Sequence, residues 1–312
     1  MISSIFGKTK PINFIIVLSF LFVFYWVVHF FLFEQVYDQE QLIAQVGVLV
    51  LLMFCFFIAD FIIKRNKMTA NNSYTILFLV LLMVVFPETL LDNNVILCSF
   101  FILLATRRLI SLRSLKDIKF KIFDATLWIM FSSLFFDWSL LFLLVVFASI
   151  YIYDPKSFRN WLVPFAAILA MALSCYGFLV LTGNESFFMT HYQFQIHGEL
   201  AYYMNWANSS KLIIYCIFVF MMMMYSFLKL GNTGVGKIVT TRLLVLLFII
   251  GLTMNILLSS EKSAPILLTF FPTAVLFTNY VESLKRSKVK EIVLLFSIFV
   301  PIIVFLSILI LK

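Results

Sequence analysis

A chain of 312 residues with 63% hydrophobic and 12% charged residues carries about half the charge of an average soluble domain. That composition excludes a water-soluble globular fold. Apolar runs of bilayer-spanning length recur from Ile12 onward, so the fold class is all-α, a polytopic transmembrane helical protein. A net charge of +8 would suit nucleic acid in a soluble protein, but here the basic residues follow a topological rule and no nucleic-acid partner is expected.

The first run, INFIIVLSFLFVFYWVVHFFLF at 12–33, is longer than a signal-peptide core, lacks a small-residue cleavage site and precedes many more spans, so it is read as retained. Spans are predicted at 12–33, 42–63, 73–91, 94–110, 121–136, 138–153, 160–182, 211–229, 238–258, 264–281 and 291–311. They make about 11 spans in a single integral membrane domain covering 1–312. The pair 121–136 and 138–153 is short and meets at Asp137 and Trp138; it reads as two thin spans or as a re-entrant hairpin. RRLISLRSLKDIKFK, from Arg107 to Lys121, is a basic stretch suited to the inner headgroups, with simple anchoring of the flanking spans as the plainer reading. Cys55, Cys98, Cys175 and Cys216 all fall in apolar runs and read as small hydrophobes rather than as a disulfide or metal set.

If the N-terminus is cytoplasmic, only Lys211, Lys262 and Lys312 of the 23 basic residues fall outside, and 23 − 3 leaves 20 within. That asymmetry fixes the orientation and suits a bacterial inner membrane. The acids are distributed the other way. Outer positions hold Glu34, Asp38, Glu40, Glu88, Asp92, Asp137, Glu185, Glu199 and Glu261, together with all three histidines, His29, His191 and His197. Asp60 and Asp124 lie near inner bases and are expected to pair with them.

Three outer segments carry candidate chemistry. EQVYDQEQ at 34–41 presents carboxylates that could act as a general base or hold a divalent cation; a solvated acidic loop is the plain alternative. FPETLLDNN at 86–94 places Glu88 and Asp92 one helical turn apart, with capping of the next span by Asp92 or Asn93 as the alternative. The loop 183–210, GNESFFMTHYQFQIHGELAYYMNWANSS, is rich in aromatics and amides; its length suits a lid, and its Tyr, Trp and Phe equally suit an interfacial helix. Walker, HExxH and GxSxG signatures are absent. GNTGVGK at 231–237 lacks phosphate-loop spacing, and no metal set is expected.

Lys262 is one of two bases in the interior outer loops. It could pair with Glu261 or another acid, snorkel to headgroups, or hold a lipid phosphate. Lys262, the apolar ILLTFFP to Pro272 and TAVLFTNYVESLKR together resemble a segment of polyprenol-phosphate-sugar-dependent membrane glycosyltransferases of the GT-C superfamily. Aminoarabinose transferases of lipid A and protein mannosyltransferases belong to that class. The proline-and-acid turn with its following span from Phe86 to Arg108, and the short spans from Phe120 to Tyr153, are similar to parts of the same core. The resemblance implies a GT-C-like helical core and transfer of a sugar from a polyprenyl-phosphate donor on the outer face. It implies Glu34 or Asp38 as catalytic carboxylate and Lys262 as phosphate holder. His191, His197, Glu88, Asp92 and Glu261 would complete the substrate site, and 183–210 would cover the acceptor. No cofactor is certain; a divalent cation is compatible.

The chain departs from that pattern in three ways. Its first outer loop is short, it has no outer arginine, and no soluble C-terminal domain follows the last span. A non-catalytic scaffold subunit that holds cell-envelope protein partners is therefore the alternative, and a transporter or flippase ranks below it for want of inverted repeats and midmembrane charges.

Overall fold

The structure is a computed structural model that describes residues 2–196, 200–230, 235–260 and 263–311. Among these residues every regular element is helical. A short α1 (Ile2–Phe6) leads into α2 (Pro11–Val27), which starts on a proline and ends in a π-helical turn, Val28–Leu32. Helix α3 (Gln39–Arg65) opens on a capping box, in which Asp38 accepts from Gln41 N and the Gln41 side chain answers to Asp38 N. It closes with Lys64 and Arg65, which suit the negative end of the helix dipole. Helix α4 (Tyr74–Val85) stops before Pro87, as the residue preceding a proline disfavours helix. Helix α5 (Asn93–Ser111) is capped by Asp92.

Then follow α6 (Ile118–Ser133), a 3-10 turn Asp137–Phe142, α7 (Leu143–Tyr153) and α8 (Phe158–Thr182). Helix α8 ends on Gly183 at φ 69°, a left-handed conformation that glycine adopts without cost. The long loop holds α9 (Phe187–His191) and α10 (Leu200–Met204). The chain ends with α11 (Trp206–Leu230), α12 (Val235–Leu258), a 3-10 turn Pro265–Thr269, α13 (Phe270–Ser283) and α14 (Ser287–Leu311). Each expected span thus coincides with a helix. Among the described residues eight helices are long and apolar enough to cross a membrane, while Tyr74–Val85, Asp137–Tyr153 and the 16-residue α6 are shorter. The chain is an integral, multi-pass membrane protein.

Burial separates a centre from a rim. The Pro265–Ser283 span is 78% buried, against 11% for Ser287–Ile310, 17% for Phe158–Thr182 and 22% for Trp206–Lys229, so the last three form the exposed rim. In lipid, burial alone drives little association, and small or hydroxyl side chains bind helices together instead. The centre has such a set. Tyr215 OH meets Thr269 Oγ1 and Thr273 Oγ1, each at 2.7 Å, and Thr75 meets Thr278 at 2.9 Å. Gly251 permits close approach of α12, since a Cβ there would lie 2.9 Å from Thr269 Cγ2.

The two ends differ in charge as expected. At the basic end Asp60 pairs with Lys64 at 2.5 Å and Asp124 with Arg108 at 2.8 Å. Glu282 accepts from Ala70 N at 2.9 Å and from Asn72 Nδ2 at 2.5 Å, which ties the α3–α4 connection to α13. The stretch 107–121 is the end of α5, a tight turn and the start of α6. Lys121 Nζ donates to Ser111 O at 2.9 Å across that turn, which joins the end of α5 to the start of α6. The cysteines are free; Cys55 and Cys98 are buried.

Candidate functional site at the acidic end of the bundle

Near the opposite end of the first span sits His29, fully buried in the π-helical turn. Its Nε2 lies 3.1 Å from Leu90 O and its Nδ1 lies 2.6 Å from Tyr37 OH. A carbonyl only accepts, so Nε2 carries the proton and Nδ1 accepts from the phenol. Tyr25 packs on the imidazole with ring centroids 4.2 Å apart and contacts Gln45 Oε1 at 2.8 Å. His29 therefore fastens the first connection to the 87–90 turn. Burial raises the Tyr37 phenol above its ordinary value.

The first connection is exposed beyond that anchor. Glu34 is exposed and adopts a left-handed φ of 49°. Asp38 is exposed, and its Oδ1 accepts from Gln41 N at 2.8 Å as a helix cap. Neither lines the polar or the apolar cavity described below.

Glu88 and Asp92 are drawn inward. Glu88 Oε1 meets Lys211 Nζ at 3.2 Å, with side chains only 19% and 13% exposed. The ammonium also stands 5.7 Å from the centroid of the Phe86 ring. Asp92 uses both oxygens. Oδ1 accepts from Val95 N at 3.0 Å and caps α5, while Oδ2 accepts from Ala264 N at 3.1 Å and pins the approach to the 265–269 turn. Capping, the alternative reading of Asp92, is what its geometry provides.

Asp137 has a parallel arrangement in the turn after α6. Its Oδ1 accepts from Trp138 N at 2.7 Å and its Oδ2 from Phe194 N at 3.0 Å. Trp138 Nε1 donates to Gln195 O at 3.2 Å, His191 Nε2 donates to Ser133 O at 2.8 Å, and Tyr192 OH meets Ser133 Oγ at 2.9 Å. These bonds strap residues 191–195 across the turn of the two short helices. Beyond His191 the strap is irregular: Gln193 N donates back to His191 O at 3.1 Å and Phe194 adopts a left-handed φ of 47°, yet successive side chains fall on opposite sides. His191, Gln193 and Gln195 face a polar cavity of about 420 Å³, also walled by Asp137, Trp138, Ser260 and Ser263. Tyr192 and Phe194, with Phe188, face an apolar cavity of about 270 Å³ closed by Met130, Met171 and Cys175. Burial raises the Tyr192 phenol, and the bond to Ser133 opposes part of that shift.

Along the same face Tyr203 OH donates to Asn255 O at 2.8 Å. The Tyr202 phenol is raised, first by burial and then by the nearby Glu88 charge. His197, Glu261 and Lys262 lie outside the described residues, although Ser260 and Ser263 bracket the last two. Of the sequence candidates among the described residues, His191 alone is placed at the polar cavity. Asp137, Trp138, Gln193 and Gln195 were not singled out as binding residues. The signal that could have found them is the period-2 alternation of HYQFQ at 191–195. Among the described residues no group of three His, Cys, Asp or Glu side chains is placed to hold a metal ion.

Chemically, the polar cavity offers a carboxylate, an imidazole, two amides and three hydroxyls beside an indole. Its size falls within the roughly 300–1,000 Å³ of small-molecule sites. Comparison with protein families, with curated proteins and with solved structures gives no match to this chain.

Proposed function

We propose that the chain is a GT-C-type membrane glycosyltransferase that moves a sugar from a polyprenyl-phosphate donor to an acceptor at the acidic end of the bundle. In this reading it crosses a bacterial inner membrane about eleven times, with its N-terminus cytoplasmic and the acidic end outside. The observation that carries the reading is the polar cavity at that end, backed by an apolar one and bordered by the serines that flank Glu261 and Lys262. An amphiphilic donor needs that juxtaposition.

The acceptor hydroxyl would attack the anomeric carbon, forming a glycosidic bond as the bond to the lipid phosphate breaks. The acceptor proton passes to a carboxylate, and charge developing on the leaving phosphate is stabilised by a cation. Lys262 is the proposed cation. Glu34 and Asp38, the carboxylates of the first connection, are the proposed bases. His191 and His197 would bind substrate, while Glu88, Asp92 and Glu261 would frame the site.

Proteoliposomes holding the full chain and a polyprenyl-phosphate sugar test the reading. Lys262→Ala and Glu34→Gln should each abolish transfer while membrane insertion and thermal stability persist. Undiminished transfer by both variants would remove the assigned roles. One observation favours a scaffold instead. Asp38, Glu88 and Asp92 are all committed to caps or pairing, so much of the acidity here serves architecture. A scaffold would co-purify with an envelope partner and would tolerate changes to Asp38 or Lys262 singly.

A further inference from the structure

The basic end of the bundle concentrates a different chemistry. Between Arg107 and Asp124 six bases face two acids, and the structure divides those bases into two groups. Arg108 pairs with Asp124 at 2.8 Å, and Arg107 stands 4.8 Å from the centroid of the Phe61 ring. Lys121 Nζ donates to Ser111 O at 2.9 Å and to Ser114 Oγ at 2.6 Å. Arg113, Lys116 and Lys119, by contrast, are exposed and make no side-chain hydrogen bond or ion pair among the described residues. Lys119 and Lys121 also fall in the first turn of α6, at the positive end of its dipole, where Asp117 gives the helix no side-chain cap. Cations so placed repel the helix end, and an anion bound there is attracted by both. The apolar residues of the same turn are exposed too, Leu115 by 59% and Phe120 by 73%. Leu115 and Asp117 hold left-handed φ angles of 52° and 51°, a conformation that costs energy in any residue but glycine. A strained turn that holds two large apolar side chains off the protein, beside three uncommitted bases, is shaped for a surface that is anionic outside and apolar within.

We propose that the 112–120 turn binds an anionic phospholipid, with Arg113, Lys116 and Lys119 on the headgroup phosphate and Leu115 and Phe120 entering the acyl region beside it. A soluble anion would use the bases and gain nothing from the two apolar side chains, so the lipid is the ligand that uses the whole turn. The basic end has a second run of exposed bases, Lys285, Arg286 and Lys288. Val289 is the large apolar residue exposed beside them, at 39%, so that run has the charge of the 112–120 turn without its apolar contact. The turn lies away from the acidic end, and this inference stands or falls separately from the proposed transfer reaction.

Native mass spectrometry of the detergent-purified full chain tests this with three probes. Phosphatidylglycerol and phosphatidylcholine of equal chain length differ in net charge, and glycerophosphoglycerol is the anionic headgroup without its chains. Phosphatidylglycerol should be retained about tenfold better than phosphatidylcholine, since each base near a charged headgroup contributes and exposure screens part of the effect. The triple variant Arg113→Gln, Lys116→Gln, Lys119→Gln should bring that preference within about twofold. The matched triple Lys285→Gln, Arg286→Gln, Lys288→Gln removes the same number of exposed charges from the same end and should leave the preference in place. Phe120→Ser keeps every charge and should weaken phosphatidylglycerol retention about threefold, which provides a check that does not depend on the triple variant folding. Equal losses in the two triple variants would reduce the effect to diffuse attraction by a basic end and overturn the inference. A preference that survives the first triple overturns it as well. So does glycerophosphoglycerol retained as strongly as the intact lipid, or a Phe120→Ser variant that retains phosphatidylglycerol undiminished.

Discussion

Two carboxylates at the acidic end make the same kind of joint and produce different surroundings. Asp92 gives one oxygen to a nearby N–H, that of Val95, and the other to a distant one, that of Ala264. Asp137 does likewise with Trp138 and Phe194. Around Asp92 the space is closed: Phe86, Leu90 and Thr89 are buried, and the Lys211–Glu88 pair fills the junction. Around Asp137 it is open: Asp137 lines the polar cavity, and the strap it holds also borders the apolar one. The difference comes from backbone form. The 86–92 segment is a 3-10 turn pressed between α4 and α5, and its side chains converge on a packed neighbour. The strap is irregular, with Phe194 at a left-handed φ of 47°, and its side chains spread to two sides that a single segment does not fill. A carboxylate that accepts backbone N–H groups is thus no guide to function by itself; the packing around it decides whether a ligand can reach it.

The closed junction should be the more fragile of the two. Lys211→Met leaves Glu88 buried without its cation, and breaking one side of a buried pair typically costs about 3–5 kcal/mol. The partial exposure of both side chains places the expected loss near the low end, about 3 kcal/mol. The loss should be read from the thermal unfolding midpoint in detergent. Replacing both residues, as Lys211→Met with Glu88→Gln, should recover much of the loss. A Lys211→Met midpoint no lower than that of Lys116→Met, a change at an exposed lysine, would show that the pair is idle. Asp92→Ala should cost less, about 1–2 kcal/mol, since it removes a cap and one brace but buries no orphan charge. Asp92→Asn should restore part of it, because the amide oxygen still caps Val95.

Much of this fold was legible in the sequence and little of the site. Hydrophobic runs located the apolar helices, eight of them long enough to cross a membrane among the described residues, because lipid demands continuous apolar helices. Asp60, Asp124 and the Asp92 cap were legible as well, because their partners lie a turn away or on an adjoining helix. The helix break at Pro87 was written in the chain, although the consequent shortness of α4 was not. Lys211 and Glu88 stand 123 residues apart, and nothing local joins them. Asp38 offered a plain signal that pointed elsewhere. An acid with a glutamine three residues on, ahead of an apolar run, is a capping box, and its carboxylate drew attention as chemistry instead. The strap had a visible signature in HYQFQ, but what its two faces meet depends on how α6, α8 and the Ser260–Ser263 segment assemble around it.

The smallest predicted effect concerns how the hollow joint responds to alkali. Burial raises the Tyr192 phenol above its ordinary value of 10.0, so the folded strap favours the neutral form that meets Ser133. An acidic group whose folded pKa is raised contributes stability that is present below the unfolded value and is lost as pH climbs through the folded one. The strap should therefore stay docked at neutral pH and loosen as pH rises above the ordinary phenol range. The span helices, which lack this contact, should not follow. Hydrogen exchange at 188–195 reports the loosening, and Tyr192→Phe should remove its pH dependence at a cost of about 1 kcal/mol at neutral pH for the lost hydrogen bond. The Asp92 junction supplies the control: no tyrosine bonds to it, so exchange at 93–96 should be flat across the same range. Parallel loosening at both joints would mean that alkali acts on the bundle as a whole, and the contrast between an accessible and a sealed carboxylate would lose its basis in local packing.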